Sequence, residues 1–220
     1  DIVYEDEYIL VINKESGILM HPTSTVRDHT LANGVLHYYQ ETNQHYDFHP
    51  VHRLDKDTSG IVIIAKTSVV QHAFDKKRTH FHKNYDAIVE GQLPTNHISI
   101  QWPIGRKLGS IIERCCTNEG KPAHTDITVI ESNTIVKNKM EQCFAHVRCL
   151  LHTGRTHQIR VHLSQLGYPL AGDDLYGGHL DYIQRQALHA SRVSFYHPMT
   201  DEWLELQASI PSDMEALLTN

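Results

Sequence analysis

Residues Pro50 to Lys66 read PVHRLDKDTSGIVIIAK, a dense set of polar and charged side chains placed directly before Gly60 and an apolar run from Ile61 to Ala65. That run is short, β-branched and bounded by turn chemistry, which predicts a strand buried on both faces. A rigid strand beside a polar loop is a means of holding reactive groups still. In an extended chain Arg53 and Asp55 project to the same side, because side chains alternate with period two. The loop then offers a carboxylate with a cation within reach. The same residues suit a surface turn whose Asp and Ser bond their own backbone. Spacing alone leaves both readings open.

Upstream, Ile2 to Asn13 reads as one or two strands ending at the Ser16-Gly17 turn, and Thr30 is placed to cap a helix with Leu31, Val35, Leu36 and Tyr39 inward. Asn43 to His49 is polar and reads as loop. Downstream, Ser68 is an N-cap candidate for a helix to about Arg78, with Val70 and Phe74 inward. Its later half carries Lys76, Lys77 and Arg78, with Lys83 following, as a solvated face or a contact to a nucleic-acid backbone. Lys83 to Gly91, Thr125 to Ile130 and Phe144 to Leu151 read as strands. In the last of these Ala145, Val147, Cys149 and Leu151 share a face opposite His146, Arg148 and His152. Any boundary between two halves is placed near Asn96 to Pro103.

The second informative stretch is His152-Thr153-Gly154-Arg155-Thr156-His157-Gln158-Ile159-Arg160-Val161-His162-Leu163. Thr156 is placed to cap a helix that ends at Gly167, with Ile159, Leu163 and Leu166 on its core face. Arg155 sits at the helix entry, where backbone N–H groups favour an anion. His152, His157 and His162 recur every five residues, a spacing that spreads them around a helix, and neither HExxH nor CxxC accompanies them. The expectation is no metal. Ser212 and Glu215 suggest a capping box for a short last helix.

Composition bounds the function. At 220 residues the chain suits one substantial domain, or two small ones sharing a core, and 40% hydrophobic with 21% charged residues is ordinary for a globular protein. No apolar run approaches a membrane span and no secretory h-region opens the chain. Cys115, Cys116, Cys143 and Cys149 lack CxxC spacing, which fits a reduced, cytoplasmic setting. The net charge of −6 with His neutral argues against a nucleic-acid partner unless the basic residues gather on one face.

HRLDKDTSG, residues 52–60, resembles the signature of the RluA-type pseudouridine synthases. KNYDAIVEG (83–91), TGRTHQIR (153–160) and GYPLAGDDLYGG (167–178) resemble the family's later segments in the same order, and DEYILVINKESGILMHP (6–22) its opening. The resemblance implies an α+β fold: a bent, mixed and mostly antiparallel sheet flanked by helices, with a central cleft, in a single catalytic domain over 1–220; the S4 domain that many relatives carry is not expected within these residues. It implies isomerisation of uridine to pseudouridine in ribosomal or transfer RNA, by a monomer without cofactor. Asp55 is then the catalytic carboxylate, Tyr85 lies against the target base, and Arg160 pairs with Asp55. His52, Arg53, Thr58, Lys83, Arg155 and His157 are the expected RNA-binding residues, and Asp173 is structural rather than catalytic. Two other classes stand beside this reading. One is an RNA-binding module of the same fold without catalysis. The other is a metal-dependent hydrolase built on the histidines.

Overall fold

The computed structural model describes residues 1–76, 81–137 and 140–219. Their fold is α+β, and contacts divide it into two compact units: Asp1–His82 with Ala190–Ala208, and Lys83–His189 with Ser209–Asn220. The expected boundary at Asn96 to Pro103 is corrected by this division. That segment lies inside the second unit, because His97–Ile100 forms an edge strand and the Val129 amide donates to the Asn96 carbonyl.

In the first unit β1 (Ile2–Glu5) and β2 (Ile9–Lys14) form an antiparallel pair, and β3 (His49–Pro50) and β2 both pair antiparallel with β4 (Ser59–Ala65). Every residue of β4 is buried, as its β-branched run predicts. Helix α1 (Leu31–Glu41) begins at Thr30, whose side chain accepts from the Asn33 amide while the Asn33 side chain accepts from the Thr30 amide. Leu31, Ala32, Val35 and Tyr39 face inward, whereas Leu36 is exposed, one position off the predicted stripe. Helix α2 (Ser68–Lys76) is capped by Thr67 rather than Ser68, its hydroxyl accepting from the Val70 amide. Of the expected basic run, Lys77 and Arg78 lie outside the described residues. Val70 and Phe74 from α2 pack against Ile9, Val11, Ile61 and Ile63. Burial of each such side chain contributes roughly 1.5–3 kcal/mol.

The second unit is built on β5 (His82–Glu90), β6 (His97–Ile100), β7 (Ile104–Arg106), β8 (Arg114–Cys116), β9 (Thr125–Lys137) and β10 (Met140–Leu151). β10 pairs antiparallel with β5 on one side and β9 on the other, β6 extends β9, and β7 with β8 forms a separate hairpin. Tyr85 stands opposite Cys149 and Lys83 opposite Leu151. The predicted division of faces on β10 is incomplete: His146 is also buried, its Nε2 2.7 Å from a carboxylate oxygen of buried Asp86. Helix α3 (Gln158–Leu166) sets Val161 against Ile104 and Ala123, and α4 (Ser212–Glu215) sets Met214 beside Ile88 and Phe144. Pro211 precedes α4 without a side-chain cap, so the predicted Ser212–Glu215 capping box does not form.

The last strands, β11 (Leu188–Tyr196) and β12 (Trp203–Gln207), pair antiparallel, and from Ala190 onward β11 neighbours β4 in the first unit. Gly60 permits that approach. Its φ is +113°, and a Cβ there would overlap the Ala190 carbonyl group. The glycine that ends the polar loop therefore seats that loop against β11. Among the described residues no helix is long and apolar enough to cross a membrane.

Candidate active site

His52 to Thr58 is not an extended segment. It leaves β3, turns, and enters β4, and the turn is closed by the Thr58 amide donating to the Asp55 carbonyl at 3.2 Å. Residues 53–55 belong to no strand and lie between a bend at 51–52 and the turn at 56–57. Arg53 is exposed, Leu54 is buried beneath the turn, Asp55 is half-buried and Thr58 is buried. The Ile63 amide donates to Nε2 of His52 at 3.3 Å, which ties the head of the motif to β4.

The support of this turn comes from Lys14 at the end of β2. Its ammonium, 1% exposed, donates to the carbonyls of Glu15 (2.8 Å), Ile18 (3.0 Å) and Lys56 (3.0 Å). The last of these is adjacent to Asp55. A buried cation is tolerated when its donors are satisfied, and it then fixes the carbonyls it binds. The sequence signal was an isolated lysine ending an apolar strand, a position where a strand side chain is usually an aliphatic. Lys14→Met removes the ammonium from all three carbonyls. We expect a loss of about 2–3 kcal/mol in thermal unfolding, and about tenfold slower turnover by the folded enzyme as the loop loosens. Wild-type turnover by this variant would show that Lys14 stabilises the chain without positioning the loop.

In the second unit, Tyr85 is buried on β5. Lys83, two residues earlier and so on the same face, places its ammonium 3.5 Å from where a Cβ of Gly154 would stand. A Cβ at 154 would stand in ordinary contact with that ammonium. Helix α3 does not begin as predicted from Thr156. His157 is the residue before its first turn, in the left-handed region at φ 56°, and makes no side-chain cap. Gln158 organises the entry instead. Its Oε1 accepts from the Arg155 amide (2.9 Å) and the Thr153 hydroxyl (2.8 Å), while its Nε2 donates to the His124 carbonyl and to Thr125 Oγ1. The Arg155 Nε donates to the Pro122 carbonyl at 2.8 Å. At the far end Gly167 closes the helix in the left-handed conformation, as expected.

Arg160 is 7% exposed and forms a two-pronged pair with Asp173: Nε to Oδ2 at 2.7 Å and NH2 to Oδ1 at 2.8 Å. Its guanidinium also lies 4.9 Å from the centre of the Tyr176 ring. Tyr176 knits the region further. Its hydroxyl accepts from the Arg114 amide and lies 2.7 Å from Nδ1 of His157, and its carbonyl accepts from the Ser164 hydroxyl. Burial, first, pushes the Tyr176 hydroxyl pKa up, so it stays protonated. Asp173 and Tyr176 are the supports that residue spacing did not disclose, since they reach Arg160 from a different segment.

The five-residue histidine series dissolves in the structure. His152 meets Asp126, His157 meets Tyr176, and buried His162 lies between Thr125 Oγ1 and the Trp102 carbonyl. Burial lowers the His162 pKa and favours the neutral ring, whose Nε2–H donates to that carbonyl. Asp126 is held down to about 2, first by the Ser99 hydroxyl and then by His152.

The profile described as RNA pseudouridylate synthase matches residues 8–165 of this chain. Among curated proteins, the uncharacterized RNA pseudouridine synthase YhcT of Bacillus subtilis is 41% identical over 219 residues, covering 99% of this chain and 70% of that protein. The ribosomal large subunit pseudouridine synthase D of Yersinia pestis is 37% identical over 236 residues, covering 99% of this chain and 69% of that protein. Among solved structures, human RNA pseudouridylate synthase domain containing 1 superposes with a TM-score of 0.77 at 27% identity, over 95% of this chain and 82% of that one.

Proposed function

The chain belongs to the RNA pseudouridylate synthase family and is an isomerase, and we propose that it converts uridine to pseudouridine in large-subunit ribosomal RNA with Asp55 as its catalytic carboxylate. The observation that carries the residue assignment is the turn itself. Asp55 sits half-buried in a loop clamped by the Lys14 ammonium, by the Thr58 amide and by the close seat of Gly60. Support for the ribosomal substrate is the 37% identity to a ribosomal large subunit pseudouridine synthase across 99% of the chain.

The reaction breaks the C1′–N1 bond, turns the uracil and forms a C1′–C5 bond. A carboxylate suits an electron-poor sugar carbon, by attack or by electrostatic stabilisation, and serves afterwards in moving a proton. The target nucleotide must leave its stack to reach such a group. Tyr85 then stacks on the uracil. Arg160, held by Asp173, supplies the positive charge of the proposed site. The exposed Arg53, with Lys83 and Arg155, contacts RNA phosphates, while His52, Thr58 and His157 shape the loops that present them.

The test is tritium release from RNA labelled at uridine C5, since the product has the same mass as the substrate. Wild-type protein is expected to release tritium from large-subunit ribosomal transcripts and not from transfer RNA. Release from transfer RNA alone would overturn the substrate assignment. Tyr85 gives a second check. Tyr85→Ala is expected to lower kcat/KM by roughly 10- to 100-fold, the value of one stacked base, while Tyr85→Phe keeps most of it. Equal losses in both variants would transfer the role from the ring to the hydroxyl.

A further inference from the structure

We propose that His124, Asp126 and His152 form a binding site for one divalent transition metal ion of the zinc class, separate from the residues assigned to the isomerisation. The three side chains come from the ends of two paired strands. His124 directly precedes β9, Asp126 is the second residue of β9, and His152 directly follows β10. Period-two alternation places His124 and Asp126 on one face. Pairing of Leu151 with Thr125 then brings His152 across from His124, and the His152 amide donates to the His124 carbonyl at 3.2 Å.

The ring geometry follows from that register. The two imidazoles stack with centroids 4.1 Å apart and planes 18° from parallel. Both aim Nε2 at the same carboxylate: His152 lies 2.7 Å from Oδ2 and His124 3.1 Å from Oδ1. One ligand atom from each of the three residues falls within 4.8 Å of the others. Ligands held about 2.0–2.2 Å from a zinc ion in tetrahedral array stand roughly 3.4 Å apart. The observed nitrogen–oxygen separations reach that value with movements under about an ångström. Two imidazoles and one carboxylate are a donor set suited to zinc, and side-chain exposures of 32%, 24% and 39% leave room for a water as fourth ligand.

The surroundings favour a held site over three mobile surface groups. The His124 amide donates to Thr153 Oγ1 and its carbonyl accepts from Gln158 Nε2, while Ser99 Oγ, 3.0 Å from the ligating Nε2 of His124, would give way to the ion. A bound ion would therefore fasten β9 and β10 directly beside the Thr153–Arg155 loop that leads into α3.

The experiment is isothermal titration of the full chain with zinc chloride, paired with thermal unfolding. Wild type is expected to show one site with a dissociation constant at or below about 10 µM, and a zinc-dependent rise in Tm. Asp126→Asn and His152→Gln should each weaken that site at least about tenfold. His97→Gln, which changes another exposed histidine of the same sheet, should leave it unchanged. Partial exposure of all three groups predicts that the variants fold, and their Tm without metal should stay within about 2 °C of wild type. The proposal is overturned if the His124→Gln/His152→Gln double variant binds zinc with the same affinity and stoichiometry as wild type. It is equally overturned if wild type shows no saturable site.

Discussion

Asp55→Asn is expected to lower tritium release by at least roughly 10³-fold while leaving Tm and RNA affinity close to wild type. The substitution changes little besides charge and proton affinity. Asparagine fills nearly the same volume, so Leu54 stays buried beneath the turn. The hydrogen bond that closes the turn runs from the Thr58 amide to the Asp55 backbone carbonyl, which the substitution does not touch. The Lys14 clamp acts on the Lys56 carbonyl, a backbone group that the substitution leaves in place. An amide can neither attack C1′ as a carboxylate does nor serve as a base near neutral pH. The loss should therefore appear in turnover, with the binding proposed for Arg53, Lys83 and Arg155 preserved. Wild-type-like release by Asp55→Asn would remove Asp55 from the mechanism, and release lost together with a large fall in Tm would show a structural role instead.

Much of this was legible in the chain because it is local. The β4 strand follows from five consecutive apolar residues, and the α1 cap from Thr30, which the structure shows paired with Asn33. Family membership follows from motifs whose order survives along nearly the whole sequence. What escaped was set by partners distant in sequence. Lys14 reaches Lys56 across 42 positions, and Asp173 reaches Arg160 from a turn that Arg160's own helix does not include. Helix starts were also misplaced, for a common reason. Thr156 and Ser68 have the right chemistry for a cap, yet Gln158 satisfies the Arg155 amide from within its helix and Thr67 supplies the α2 cap bond one residue earlier. Residue type names the candidates for an orphan amide, while the path of the chain decides which of them is in range. Similarly, the five-residue histidine series drew attention to His157 and His162. The convergent group is His152 with His124 and Asp126, which strand register assembles and sequence spacing conceals.

Asp173→Ala is expected to cost about 3–5 kcal/mol of stability, a fall in Tm on the order of 10 °C for a chain of this length. Asp173 is 1% exposed and Arg160 7%, so removing the carboxylate leaves a guanidinium in the interior with two of its N–H donors deprived of their acceptor. The Tyr176 ring face offers it some compensation at 4.9 Å, though much less than a carboxylate does. The opposite end of the pair behaves differently. In the double variant Asp173→Ala/Arg160→Met no charge is left buried, and an apolar side chain of similar length fills the space, so most of the lost stability should return. Catalysis should not return with it if Arg160 supplies its positive charge to the reaction. A double variant that regains Tm yet stays at least about 10²-fold slow would separate the role of Arg160 in chemistry from its role in packing. Recovery of both Tm and turnover would confine the pair to the scaffold, whereas a single Asp173→Ala variant within about 2 °C of wild type would mean that solvent reaches the guanidinium and that Asp173 does not fix its place.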